Sequence, residues 1–429
     1  MARRARRLAR RGKLLGLAPL GQGQGGGVAG PDRFIGPPYY LLNDTFTTNR
    51  AAGAVNGTDA EPGPGRRLVV DTNGKLSLSG GNLLLATGGL AAGDPGLWYS
   101  GISRAPGRVM VASASYTTGV IEVGFDANQA GSLFDGARMT GTTLAVRAQG
   151  TQITVGAAAA STTYQFAVIQ RAAGFFWFVK GGAFTNWTLV WLSSAGNSSF
   201  PGFTTTSTAS VGTLSYLRVP ATPWLPAPLL SDGFSTFATS APTATDGLGH
   251  AEGIAGGLGA GGGGVWPYTQ VGTWQASGGW ANASALSSGS AIAYANAGKA
   301  DIIASVKLTR SGGDGGLLLR FVDGNNFISC RHDGTNVLLI KKVAGVNTTV
   351  QSTAAIYVAG AELRVIATGS AFRVYYNNAL VGSEQTISDA ALQSPTNHGL
   401  YTTNTGNTFD DLVIYARGAG GEYAALDAF

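Results

Sequence analysis

The chain of 429 residues holds 66 glycines, about twice the average share, and only 12% of it is charged, about half the average for soluble proteins. A helix-rich enzyme is disfavoured, because helices need Glu, Lys and Arg on their wet faces and are weakened by glycine. With 44% apolar residues the chain still buries a core, and its length suits two or three domains.

Residues 1–40 form a basic arm. Arg3, Arg4, Arg6, Arg7, Arg10, Arg11 and Lys13 account for the whole net charge of +6, and without them 22 basic residues face 23 acidic ones. Leu14 to Leu20, a Gln/Gly stretch at 21–27, and Pro31, Pro37 and Pro38 follow. A secretory signal needs a longer apolar stretch and a small-residue cleavage site. Clustered arginines can also displace counterions from nucleic-acid phosphates, stay solvated, or order on an acidic neighbour. We read the arm as a docking element for an acidic protein surface, ahead of a nucleic-acid role. No apolar run approaches the ~20 residues of a membrane span, so no membrane partner is expected.

An internal repeat organises the rest. Leu41–Phe46 recurs as Leu229–Phe234 at a shift of 188, Val146–Ile153 as Cys330–Val337 at 184, Gly174–Val179 as Ser370–Tyr375 at 196, and Leu214–Val219 as Phe409–Ile414 at 195. Preserved order and drifting offsets point to one domain present twice, at 41–220 and 229–417. Strands are predicted at 109–114, 120–125, 144–147, 166–170, 175–179 and 189–192, then at 301–309, 317–322, 337–343, 363–367 and 372–376. In the strand at 301–309, Ile302, Ala304, Val306 and Leu308 share one face while Ser305, Lys307 and Thr309 share the other, the period of a half-buried strand. The fold class is therefore all-β: two tandem antiparallel β-sandwich (jelly-roll) domains preceded by an extended basic N-terminal arm. The Pro-rich linker 221–228 is expected to hold the sandwiches apart. A tail at 418–429 ends in Tyr423–Phe429, expected either to add a contact with a partner or to fray.

The second copy opens with Asp232-Gly233-Phe234, continues through Trp274 with Ser277-Gly278-Gly279 and through Gly316–Phe321, and closes with Phe409–Ile414. These segments resemble the concanavalin A-like, laminin-G-like jelly rolls, and 41–220 is similar in a degenerate form. The resemblance implies a structural calcium held by Asp232, Asp410 and Asp411, against the alternative that Asp232 caps a turn and the closing acids are solvated. No other cofactor is expected. Glycoside hydrolases that share this fold need two facing carboxylates, in one branch from a Glu-x-Asp-x-x-Glu strand. That segment is missing, and Glu122 and Glu362 each stand alone on their strands, so a non-enzyme is expected. Trp274 matches a core position of the family, which leaves Trp266 and Tyr268 as candidate rings for stacking a host glycan. Cys330 lies in an alternating strand and reads as a buried thiol, and His250, His332 and His398 are far apart. The Gly-x-Gly-x-x-Gly matches at 21–26 and 257–262 sit in glycine tracts and read as loops.

Low charge, abundant Gly, Ala and Thr, and a single cysteine give the chain the look of structural proteins of tailed bacteriophages. The first expectation is a non-catalytic virion component (capsid decoration, fibre or tail) attached through its arm to other virion proteins and to copies of itself. The alternative is a carbohydrate-binding adhesin module at a cell surface or secreted.

Overall fold

The computed structural model describes residues 39–89, 94–128, 135–232, 234, 269–277 and 280–429. The arm residues Arg3 to Lys13, both candidate rings Trp266 and Tyr268, His250 and the glycine tract at 256–264 lie outside them.

The first copy contributes β1 (Tyr40–Asp44), β2 (Arg67–Val70), β3 (Leu76–Ser79), β4 (Asn82–Leu85), β5 (Gly96–Tyr99), β6 (Val109–Thr118), β7 (Val120–Asp126), β8 (Asp135–Thr140), β9 (Thr143–Ala148), β10 (Thr151–Ala157), β11 (Tyr164–Gln170), β12 (Phe175–Gly181), β13 (Phe184–Leu192), β14 (Phe200–Thr204) and β15 (Val211–Pro220). The second contributes β16 (Leu230–Asp232), β17 (Thr269–Val271), β18 (Thr273–Ser277), β19 (Trp280–Ala285), β20 (Ala291–Asn296), β21 (Ile302–Thr309), β22 (Gly315–Asp323), β23 (Asn326–His332), β24 (Asn336–Val343), β25 (Val346–Ala354), β26 (Ala361–Thr368), β27 (Ala371–Tyr376), β28 (Ala379–Thr386), β29 (Asn397–Thr402) and β30 (Thr408–Ala416).

Strands of the first copy form one sheet in the order β13-β12-β11-β6-β15-β4-β3, with β1 on β15, and a second in the order β10-β9-β8-β7-β14-β5-β2. The second copy repeats both, β28-β27-β26-β21-β30-β19-β18 with β16 on β30, and β25-β24-β23-β22-β29-β20-β17. Each strand of the first copy thus has its twin fifteen strands later in the same place. Inner faces of the paired sheets enclose a core, with Leu97, Phe125 and Phe203 buried in the first sandwich and Trp274, Leu400 and Phe409 in the second. Trp274 packs 5.6 Å from Phe409, as its core assignment requires.

Strand pairing corrects two repeat matches. The ladders lay Phe166 on Leu363 and Val179 on Tyr376, a shift of 197, so the match at 196 is one residue out of register. The shift of 184 lays the β9–β10 turn on the β23–β24 turn, whereas the twin of β9 is β24. Gly202 and Phe203 of β14 correspond to Gly399 and Leu400 of β29, which places Trp98 with Tyr294 and Gly124 with Leu318 through the ladders. One step further, Arg138 opposite Glu122 corresponds to Arg331 opposite Gly316, so the twin of Arg331 is Arg138 and not Arg147. Two hairpin turns that share the sequence Arg-x-x-Gly-Thr mislead an alignment that cannot see which strands pair.

The linker does not hold the sandwiches apart. Trp224 lies 6.0 Å from Phe178, and its N–H donates to the Gly107 carbonyl. Ile303, Ile366, Tyr375 and Tyr415, on the outward face of the second copy's β21–β26–β27–β30 sheet, pack into the cluster of Phe176 and Trp191 from β12 and β13. Trp191 meets Tyr375 at 4.7 Å and Phe176 meets Tyr415 at 5.2 Å, both edge to face, a geometry worth about 0.5–1.5 kcal/mol per pair beyond burial. The Leu189 N–H donates to the Arg417 carbonyl at 3.0 Å, and the Tyr375 hydroxyl to that of Thr154 at 3.0 Å. The C-terminal segment is neither frayed nor free for a partner. Tyr423, Leu426 and Phe429 are buried, Tyr423 packs 4.8 Å from Phe178, and Asp427 accepts from Trp187 Nε1 and pairs with Lys180. Residues 36–429 consequently form one compact unit.

Candidate functional site

The acids singled out for calcium are only partly described. Asp232 ends β16, and its side chain is outside the described residues. Asp411 is engaged by Lys307 at 2.5 Å, while Asp410 accepts the Asp411 N–H and is pushed above the usual carboxylate range by partial burial and by its acidic neighbour. Among the described residues no three His, Cys, Asp or Glu side chains gather around one point. The first copy shows what its matching acid does. Asp44 is fully buried, gripped by Arg67 at 2.6 and 2.7 Å and by the Tyr99 hydroxyl at 2.5 Å, and it accepts the N–H of Phe46, whose φ of 54° bends the chain. Phe234 has the same bend, φ 48°.

The remaining reactive groups are built into the structure. Cys330 is buried, and desolvation pushes its thiol well above the usual range. His398 is fully buried, accepts the Arg320 N–H at Nδ1 and faces the Lys299 carbonyl through Nε2, which fixes a neutral ring. Glu122 is buried between Arg138 at 2.5 Å and Arg147 at 2.9 Å. Glu362 pairs with Arg364.

A site that the sequence did not disclose lies where the sandwiches meet. Two hairpin tips, one from each copy, approach it. Gln149 and Gly150 link β9 to β10 with φ of 49° and 80°, and Asn377 and Asn378 link β27 to β28 with φ of 49° and 64°. Both are two-residue loops with positive φ at each central position, the turn that suits the twist of a tight hairpin and favours Asn and Gly. Gln149, Thr151, Trp191, Ser193, Ser194 and Asn378 line a cavity of about 200 Å³ there. Its lining holds two amides, three hydroxyls and an indole, and no charge. Trp191 is buried, its ring lies 4.1 Å below the Arg364 guanidinium, and its N–H has no hydrogen-bond partner among the described residues.

A second cleft of about 280 Å³ lies on the other side of Ser194. Arg171, Leu192 and Ser194 form its first-copy wall, and Ser231, Ser305, Lys307, Glu362, Asp411 and Tyr415 line the wall from the second copy. Ser194 lines both spaces.

No protein-family model matches this chain, and no curated protein matches it either. Solved structures with similar folds include a carbohydrate-binding module, CBM66, from Bacillus subtilis, 18% identical, covering 35% of this chain and 96% of that one with a TM-score of 0.29. The galectin LEC-6 of Caenorhabditis elegans is 9% identical, covering 27% and 83% with a TM-score of 0.22. Rv0315 of Mycobacterium tuberculosis, described as an immunostimulatory antigen and pseudo beta-1,3-glucanase, is 12% identical, covering 43% and 99% with a TM-score of 0.28. At such low superposition these likenesses decide nothing about function.

Proposed function

We propose that this chain is a non-catalytic carbohydrate-binding protein whose glycan site lies between its two sandwiches. The observation that carries the reading is the uncharged cavity at the junction. Amides and hydroxyls can donate to and accept from sugar hydroxyls. At about 200 Å³ it lies below the roughly 300–1,000 Å³ of drug-sized sites and suits a sugar ring. Absence of catalysis is supported by the state of the acids: Glu122 has an arginine on each oxygen, and Glu362 and Asp411 each carry a cation. A hydrolase needs one carboxyl free to give a proton and another free to attack or to activate water.

A glycan array probed with the full chain, followed by calorimetric titration of the best ligand, tests the reading. Saturable binding that weakens at least about tenfold in Asn378→Ala, about 1.4 kcal/mol, is the expected result. Binding to no glycan overturns it. Attachment to a virion through residues 3–13 stands as a second proposal, favoured by one observation: both sandwiches and the C-terminal segment pack as a single unit, as a building block requires. Deleting residues 1–20 then abolishes particle incorporation while the sandwiches stay folded; unchanged incorporation removes that proposal.

A further inference from the structure

The charged cleft beside the neutral cavity differs from it in a way that specifies the ligand further. On its second-copy wall the charges are paired, Lys307 with Asp411 at 2.5 Å and Glu362 with Arg364. The first-copy wall carries one charge, Arg171, and among the described residues no acid lies within ion-pair distance of it. Among the described residues its side chain makes one hydrogen bond, from Nη1 to the Ser193 carbonyl at 2.7 Å, and its guanidinium rests 4.7 Å over the Phe176 ring. Stacking of this kind holds the planar fork still and leaves its remaining N–H groups free to donate.

Behind Glu362 lies Arg364, fully buried, with no nitrogen in good hydrogen-bond geometry. Burial disfavours the charge on Arg364 most, the Glu362 carboxylate favours it next, and the charge on Arg171 disfavours it to a smaller extent. Two guanidinium groups therefore share the junction against their mutual repulsion. An anion beside Arg171 offsets that cost and fills open donors.

We propose that the junction takes an acidic saccharide, with the carboxylate of a uronic acid residue on Arg171 and the adjoining sugar in the neutral cavity across Ser194. A carboxylate matches the guanidinium fork with two parallel hydrogen bonds, and Ser194, Ser231 and Ser305 supply hydroxyl partners for the ring. This deepens the glycan-binding reading and rests on it.

The test is calorimetric titration of the full chain with trigalacturonate, with the same trimer after reduction of its carboxylates to alcohols, and with a sulfated neutral trimer. Trigalacturonate binds about tenfold more tightly than the reduced trimer at low salt, and the advantage shrinks as ionic strength rises, because a partly exposed ion pair is screened. Arg171→Gln removes the advantage, so that trigalacturonate and the reduced trimer bind with equal affinity. Arg171→Lys keeps part of it, which separates loss of charge from loss of fold, and thermal melts of both variants check folding. Equal affinity for the two trimers, or an advantage that survives Arg171→Gln, overturns the acidic assignment while the glycan reading stands. Stronger binding of the sulfated trimer overturns the carboxylate. Failure of every trimer to bind, with no hit on the array, overturns both readings.

Discussion

The two sandwiches share every strand pairing and differ in the identity or the partners of polar residues that the ladders superimpose. Arg138 faces Glu122 in the first copy; its twin Arg331 faces Gly316, and lies instead 3.8 Å over Tyr401, where the first copy has Thr204. Pro201 in the first copy is His398 in the second. Backbone pairing needs only apolar inner faces and turns in the right places, so side chains elsewhere can diverge without disturbing the ladder. The contact between the copies is also asymmetric. Strands β12 and β13 of the first meet the outward sheet face of the second, and Asn378 of the second copy completes a neutral cavity otherwise lined by the first.

The largest expected effect breaks the first sandwich only. Asp44→Ala leaves Arg67 buried without its carboxylate, and a buried cation stripped of its partner costs about 3–5 kcal/mol. Urea unfolding shows the loss, and amide exchange places it in the first copy. Tyr423→Ala removes a buried ring from between Phe178 and Trp224 and costs about 2–4 kcal/mol. It uncouples the copies, so calorimetry shows two transitions in place of one.

One effect of acid belongs to the second sandwich. Burial depresses the His398 pKa from 6.5 to about 4, so the ring stays neutral in the folded chain while the unfolded chain takes up a proton below about pH 6.5. The contribution is fully present above that pH, falls as pH drops, and is gone below about 4. Its full size is about 3 kcal/mol. His398→Gln flattens this part of the pH profile, and Pro201 gives the first copy no counterpart. The smallest effect is at the cleft: Lys307 and Asp411 are about half exposed, so Lys307→Met changes stability by under about 0.5 kcal/mol in urea unfolding.

Much of the fold was legible because period-two alternation and turn residues are local signals. The inner face of the strand at 301–309 was read correctly, although Ile303 and Ser305 on its other face are buried as well, and two of the four repeat matches align true twins. The junction was harder to read. Its plainest trace is Phe175-Phe176-Trp177-Phe178-Val179, an unbroken apolar run without alternation, which marks a strand covered on both faces. The neutral cavity left even less trace, since Gln149-Gly150 and Asn377-Asn378 are ordinary hairpin tips until tertiary packing brings them together. Trp274 was placed correctly by its motif, whereas an indole such as Trp191 cannot be told from a core tryptophan by its sequence neighbours.

A double-mutant cycle on Gln149 and Asn378, read as glycan affinity by calorimetry, tests most directly whether one site is built by both copies. If both amides grip one ligand, Gln149→Ala and Asn378→Ala each weaken binding about tenfold and the double variant weakens it less than the product, a coupling of at least about 0.5 kcal/mol. Glycan affinity that neither substitution alters would place the site elsewhere and contradict the account.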